Sequence, residues 1–400
     1  MANKNGGFIG TDGLDAPDPP TAVTPTAGDA SVSVAFTAPT DTGTSAITGF
    51  VAQVSTDGTA YSAGSNTGTS SPIVVSSLSN GTSYTAKVWA INAYGTSAPS
   101  DASSGVAPAA PTGLFGGGKI GGDRINVIQQ ITIGTTGDST DFGDLSVTRD
   151  QLAGCSSASR GVFGGGYSGS NSDVMDYVTI TSSGNATDFG NLLTGTLQLA
   201  ACSSSTRGLF SGGDTSGGTV DVIQYITIAS TGNATDFGNL LVVTRNHAGC
   251  SSQVRGIFGG FATSSVTDVI QYVTIASTGN ATDFGNLTAA RGELAACSSS
   301  TRGVFGGGDT GSKTDIIDYI TIDSTGNATD FGNLSAASSN LSALSSSTRG
   351  VFGGGRPSSS GTNEIQYITI ANTGNTTDFG DLLGNTFHLG ACSNAHGGLQ

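Results

Sequence analysis

From residue 113 onward, apolar and polar positions recur with a fixed period. The marker Thr-Asp-Phe-Gly places Phe at 142, 189, 237, 284, 331 and 379. The marker Gly-[Leu/Val/Ile]-Phe places a second Phe at 115, 163, 210, 258, 305 and 352, and every step is 47 or 48 residues. Inside one period, residues 291–334, four short runs stand between Gly, Ser, Thr and Asn clusters: Glu293–Ser299, Gly303–Gly308, Ile316–Ile322 and Thr329–Leu334. Short apolar runs with turn residues on both sides predict four strands per unit. A unit this small buries its apolar face only against its neighbours, so the copies must stack. The array opens on a second strand (Gly113–Gly118) and ends on a first strand (His388–Asn394). The last strand is therefore expected to complete the sheet begun at Gly113, joining six four-stranded sheets into a ring without open edges.

Ahead of the array the pattern changes. Residues 1–15 are polar and Gly-rich around one apolar pair, Phe8 and Ile9, and read either as a frayed end or as an arm that orders on a partner. Period-two alternation predicts strands over Ser31–Phe36, Ile47–Val54, Ile73–Val75 and Tyr84–Asn92. Pro19-Pro20, Leu78-Ser-Asn-Gly-Thr-Ser-Tyr84 and Val88-Trp-Ala-Ile-Asn-Ala-Tyr-Gly-Thr-Ser-Ala-Pro-Ser100 resemble the fibronectin type III domain over residues 16–107. The resemblance implies a β-sandwich spacer in which Tyr84 ties a strand crossing to the backbone. Trp89 reads as packing on a sheet face. Pro108 and Pro111 read as a stiff linker over 108–112.

Strands that run alternately up and down put the turns after strands 1 and 3 on one face and those after 2 and 4 on the other. The first pair barely varies between copies, as in Ser-Ser-Ser-Thr-Arg-Gly and Ser-Thr-Gly-Asn-Ala-Thr-Asp-Phe-Gly. The second pair diverges, and supplies Arg124, Tyr167, Arg245, Phe261 and Arg356 as a candidate partner-binding face. The repeated Arg160, Arg207, Arg255, Arg302 and Arg349 read as ties to a carboxylate or a carbonyl rather than as an anion funnel. The repeated Asn-X-Thr (Asn185, Asn233, Asn280, Asn327, Asn375) is explained by turn chemistry.

Composition supports all-β structure: 63 Gly, many β-branched residues and 11% charged residues. A net charge of −15 argues against nucleic acid, which requires clustered Lys and Arg. No apolar run reaches membrane-spanning length, and the first residues lack the apolar core of a leader. Cys155, Cys202, Cys250, Cys297 and Cys392 share a slot with Leu344, so they are expected to be free, buried thiols. His247, His388 and His396 have no spacing that suggests a metal site or a catalytic triad. Neither an enzymatic activity nor a cofactor is expected.

The repeat resembles Kelch repeats: an aliphatic-aromatic strand ending in Gly-Gly, a strand with Tyr, then an aromatic before Leu, here Phe where that family usually carries Trp. This implies a fibronectin type III sandwich followed by a six-bladed Kelch-like β-propeller over 113–400. The opening Phe8-Ile-Gly-Thr-Asp-Gly-Leu-Asp-Ala-Pro-Asp-Pro-Pro20, the Val88–Ser100 run and Thr-Gly-Asn-Ala-Thr-Asp-Phe-Gly-Asn-Leu resemble virion structural proteins of marine tailed phages, including those of cyanobacteria. That resemblance implies a capsid, neck or tail appendage assembled in the host cytoplasm. Its arm would hold other virion proteins through Phe8 and Ile9, and its divergent face would meet a host surface protein or glycan. A homo-oligomer is compatible with it. The alternatives are a purely structural capsid decoration and a bacterial protein–protein adaptor or adhesin.

Overall fold

The computed structural model describes residues 15–262 and 265–399; Phe8 and Ile9 lie outside the described residues. Two compact units divide between Ala110 and Pro111. The expected linker 108–112 is taken up from both ends. Gly81 N donates to Pro108 O at 2.8 Å and Ala109 N to Gly28 O at 3.1 Å, whereas Ile133 N donates to Pro111 O at 2.8 Å and Thr112 already starts a strand.

The first unit holds two antiparallel sheets. One orders Thr21–Gly28, Ser31–Thr37 and Ile73–Ser76; the other orders Ala63–Gly68, Ile47–Ser55, Thr85–Asn92 and Gly95–Thr96. Alternation does the work expected of it. Val32, Val34 and Phe36 face Phe50, Ala52, Val54, Ala86, Val88 and Ala90 in one core, with Phe36 and Phe50 ring centroids 4.7 Å apart. Trp89 falls on the opposite parity and is half-buried on the outer side of its sheet, across from Val51. The Tyr84 hydroxyl accepts from Ser79 N at 3.2 Å, the corner tie that the sequence suggests.

The second unit consists of six four-stranded antiparallel sheets, numbered here in chain order. Sheet 1 contains Thr112–Gly116, Val127–Thr132 and Thr140–Asp144; its fourth strand is Gly390–Ser393, paired to Gly113–Gly116 in register Gly390↔Gly116 and Ser393↔Gly113. Sheets 2 to 6 begin at Ala153, Ala200, Ala248, Ala295 and Ser342 and each runs inner, second, third and outer strand in sequence order. A hairpin, Lys119–Ile120 with Asp123–Arg124, adds to the outer strand of sheet 6.

Three sets of hydrogen bonds link the sheets in cyclic order. On the inside, Ser156, Ser203, Ser251, Ser298, Ser345 and Ser393 each donate Oγ to the carbonyl of the preceding serine in the cycle at 2.6–2.9 Å, and the chain of bonds returns to its start. Farther out, Arg160, Arg207, Arg255, Arg302 and Arg349 donate Nη1 to the carbonyls of Ile228, Ile275, Ile322, Ile370 and Ile133 of the following sheet at 2.8–2.9 Å. Each guanidinium also lies 4.2–4.6 Å over the Tyr ring of its own sheet. The repeated Arg is thus a tie to a carbonyl. The repeated Asp (141, 188, 236, 283, 330, 378) is exposed and is not its partner. At the rim, Asn185, Asn233, Asn280, Asn327 and Asn375, with Asp138 in the sixth place, accept backbone N–H groups of the preceding sheet at 3.0–3.1 Å. The Asn-X-Thr motif is a clasp between sheets.

Between sheets, the cysteines pack as small apolar groups. Cys250 Sγ lies where a side chain on Gly303 would have to go, 2.9 Å from an added Cβ. All five thiols are free and buried, and burial pushes their pKa up, to about 12 for Cys250 and Cys392. The Gly pair after the second strand makes a turn. Gly117 and Gly118 have φ of +65° and +98°, and Cβ atoms there would lie 2.6 Å from Arg149 O and 2.8 Å from Phe387 O. They turn the chain under the loop that enters the sheet. Among the described residues the only helix is a single 3-10 turn, Gly397–Leu399, and no helix is long and apolar enough to cross a membrane.

Candidate functional site

The loops after strands 2 and 4 share a face because they are bonded to each other. The loop entering each sheet bridges the loop after that sheet's second strand: Asp150 with Tyr167, Leu197 with Asp214, Arg245 with Ala262, Gly292 with Asp309 and Ser339 with Arg356. Thr386 and Phe387 pair with Ile120 and Lys119 in the sixth case.

Four of the five predicted contact residues reach this face, in three groups. Arg124 donates Nε to Asp150 Oδ1 at 2.9 Å and lies over the Tyr167 ring at 4.4 Å. Asp150 is fully buried, and Lys119 Nζ and His388 Nδ1 each stand 3.5 Å from its Oδ2. Burial alone would push the Asp150 carboxyl up; His388, Lys119 and Arg124 together outweigh it and hold the group below the ordinary carboxylate value. Arg245 pairs with Asp214, and both remain partly exposed. Arg356 lies over the Phe387 ring at 4.9 Å, and Phe387 meets His388 edge-on at 5.0 Å. The seam of sheets 6, 1 and 2 thereby joins Arg356, Phe387, His388, Asp150, Arg124 and Tyr167 into one cluster.

Phe261 is a correction. It is fully buried, packed 5.6 Å from the His247 ring, and presents nothing to a partner. It occupies the column of the second Gly of the pair (Gly118, Gly166, Gly213, Gly308, Gly355), a position under the loop rather than on it.

Divergence also hides inside this face. Arg149 and Arg291 come from its loops, yet neither side chain is exposed; each stands by a buried carboxylate of the next sheet, Asp176 at 2.8 Å and Asp318 at 2.9 Å. The Arg291–Asp318 approach is close without hydrogen-bond geometry at Nη1. Burial depresses both guanidinium pKa values, against the pull of the paired carboxylate. Sheet 3 carries a further exception, Ser211 Oγ 2.9 Å from His247 Nε2, where the other sheets have Gly and Leu. Both residues are buried, and burial lowers the His247 pKa to about 3. Among the described residues no cluster of three His, Cys, Asp or Glu could hold a metal ion.

Gln151, Gln198, Asn246, Glu293, Asn340 and His388 occupy one polar column just before the first strands. The structure makes them a second feature of the same face. All six adopt left-handed backbone, φ +55° to +60°, and pass backbone hydrogen bonds of 2.8–3.0 Å from one to the next around a full cycle. A non-Gly residue held so costs about 1 kcal/mol or more, and such strain concentrates where geometry serves a purpose. The six rim a cavity of about 170 Å³ along the inner strands. Small residues form its waist, Gly154, Ala201, Gly249, Ala296, Ala343 and Ala391. The far end is occupied by His396, whose Nε2 lies 3.1 Å from Ser156 O and 3.2 Å from Ser203 Oγ. Burial lowers the His396 pKa to about 4. The cavity therefore opens on the loop face, and His388 belongs both to its rim and to the seam cluster.

Exposed aliphatics sharpen the asymmetry. Within the second unit they are Ile120, Val147, Leu193, Leu241, Val242, Val243, Leu383 and Val254. All but Val254 lie on the loop face, in the loops of sheets 6, 1, 2 and 3; sheets 4 and 5 carry Thr288–Ala290 and Ser335–Ala337 at the corresponding places.

Residues 16–106 match the family model of the fibronectin type III domain, and the two-sheet first unit is such a domain. No curated protein matches the chain.

Proposed function

We propose that this chain is a non-enzymatic recognition protein, a six-bladed Kelch-like propeller carried on a fibronectin type III spacer, which docks a partner on its loop face. One observation carries the reading: the two faces use their side chains differently. In the second unit, the five cations outside the repeated Arg–carbonyl ties and the two fully buried arginines (Lys119, Arg124, Arg245, Lys313, Arg356) and seven of the eight exposed aliphatics all lie on the loop face. Apolar residues grouped with Arg and Tyr are the usual composition of a contact surface. The polar rim and small cavity at its centre suit the hydroxyl-rich end of a glycan, since carboxamides, a carboxylate and an imidazole supply donors and acceptors together.

The setting proposed is a tailed-phage virion, with residues 1–15 anchoring the chain to other virion proteins through Phe8 and Ile9 and the loop face meeting a host surface protein or glycan. Two experiments test it. Antibody labelling of purified particles should place the full chain on the virion, and deletion of 1–15 should release it. The full-length variant R124A/Y167A/R356A should lose binding to host cells while its melting curve stays cooperative. Undiminished cell binding by that variant overturns the loop-face reading; particles without the chain overturn the virion setting.

A further inference from the structure

The six junctions between consecutive sheets contain a coded exchange. One buried slot, on the loop leaving an outer strand, holds Arg149, Thr196, Thr244, Arg291, Ser338 and Thr386 in turn. The slot on the third strand of the following sheet holds Asp176, Gln224, Gln271, Asp318, Gln366 and Gln129. Arg always precedes Asp, and Thr or Ser always precedes Gln. The acid is not needed for the hydrogen bond common to all six. The third-strand side chain accepts a loop N–H whether it is Asp (from Ser146 and Thr288) or Gln (from Leu193, Leu241, Ser335 and Leu383). What Asp adds is a buried charge, and only an Arg in the facing slot answers it. Arg149 does so with Nη2 on Asp176 Oδ2 at 2.8 Å, and it also donates to the carbonyls of Phe163 and Gly165.

One of the two charged junctions adjoins the place where the ring closes. The closing strand Gly390-Ala-Cys-Ser393 pairs with Gly113-Leu-Phe-Gly116, but Gly161-Val-Phe-Gly164 of sheet 2 presents almost the same strand, and its own partner Ala153-Gly-Cys-Ser156 is nearly the closing strand's twin. Backbone pairing cannot tell these two sites apart. Closure on sheet 2 would displace Ala153–Ser156, leave out residues 112–156 and give a ring of five sheets. The arginine ties do not oppose it, because Thr112 stands where the other sheets have Arg, so no arginine of sheet 1 competes with Arg349 for Ile180 O. The buried slots do oppose it, since Thr386 would then face Asp176 and leave a carboxylate without its counter-charge.

We propose that the Arg149–Asp176 pair is a register lock that makes the closing strand select sheet 1 and a six-sheet ring over sheet 2 and a five-sheet ring. Buried ion pairs contribute little net stability compared with a matched neutral pair, but a half-broken pair is heavily penalised, and that is the property a register device requires.

The test is hydrogen-exchange mass spectrometry on the full chain refolded from denaturant. R149T/D176Q installs the neutral Thr–Gln pair found at three other junctions. It should show two populations in peptides spanning 112–156, one protected as in wild type and one unprotected in about a tenth of molecules or more, with 160–387 protected in both. R291T/D318Q makes the same chemical change away from the closure and should give a single protected population. T386R/Q129D gives every native junction a matched pair but also matches Thr386's slot to Asp176, so it too should produce the unprotected population. It decides the matter if R149T/D176Q does not fold. A single protected population in T386R/Q129D and in any folded R149T/D176Q overturns the lock, as does an equal second population in R291T/D318Q.

Discussion

The two faces of the six-sheet unit are built from the same 47–48-residue period, yet one is uniform and the other individual. On the uniform face, repetition marks geometry: five Arg side chains reach five equivalent carbonyls, and the turn Asn reaches the neighbouring N–H in the same way each time. On the loop face, variation has two meanings. Arg124, Tyr167, Arg245, Arg356 and Leu193 vary because solvent or a partner meets them. Arg149, Arg291, His247 and Phe261 vary as buried residues that compensate one another across sheets. Divergence between copies therefore marks the face proposed for binding but does not by itself say which of its residues are open to a partner.

The sharpest way to separate the two meanings is to truncate two arginines of the same face. Arg149→Ala leaves Asp176 buried without its counter-charge and is expected to cost about 3–5 kcal/mol, read as a fall in the urea midpoint. Arg245→Ala removes a partly exposed pair with Asp214 and is expected to cost ~1 kcal/mol or less. Equal losses would mean that burial does not divide the divergent residues.

The next contrast depends on pH. His247 and His396 are buried with pKa values of about 3 and about 4, well below the ordinary histidine value. Between pH 6.5 and those values the unfolded chain binds protons that the folded chain refuses. Their contribution is complete above pH 6.5 and is lost as pH falls through that window, by roughly 1.4 kcal/mol per pH unit for each histidine. S211G/H247L restores the Gly and Leu of the other sheets and should flatten about half of that slope in urea melts at pH 6, 5 and 4. An unchanged slope would show that His247 is not kept neutral by its site.

How much of this was legible follows from the same distinction. The period, the four strands, the closing strand, the Tyr84 corner and the Arg ties could be read because each repeats, or because its partner lies close in sequence. The Arg149–Asp176 and Arg291–Asp318 pairs could not be read along the chain, since the partners sit in different sheets. They emerge only when the copies are aligned and two columns are compared. Phe261 shows the same thing in reverse: its column holds Gly in every other sheet, a signal of burial hidden by reading the loop as a loop. The axial rim escaped because Gln, Asn, Glu and His are legible in sequence only as polar residues; what unites them further is a left-handed backbone that no sequence pattern displays.

On the uniform face the expectation is sameness. Arg302→Ala removes a charge-assisted bond to Ile370 O and the stacking on Tyr319, at a cost of about 2 kcal/mol. Because the geometry recurs, Arg207→Ala and Arg255→Ala should match it within about 0.5 kcal/mol in parallel denaturant titrations. A spread as wide as that between Arg149 and Arg245 would remove the physical basis for calling this face a frame.

The smallest effect on stability should accompany the largest effect on binding. Leu193, Leu241 and Leu383 are about half exposed, so L193S/L241S/L383S gives up little buried area and should shift stability by no more than about 0.5 kcal/mol per site. Their aliphatic surface spans the loops of sheets 6, 2 and 3, around the seam where Arg356, His388, Arg124 and Tyr167 converge. A partner seated there would cover it, and its loss should weaken binding of the full-length protein to host cells at least about tenfold. Val254→Ser, which exposes the same chemistry on the opposite face, should leave cell binding unchanged. If the triple variant binds as wild type does, or V254S weakens binding as much, the apolar crescent is not where the partner sits and the asymmetry between the faces is one of construction alone.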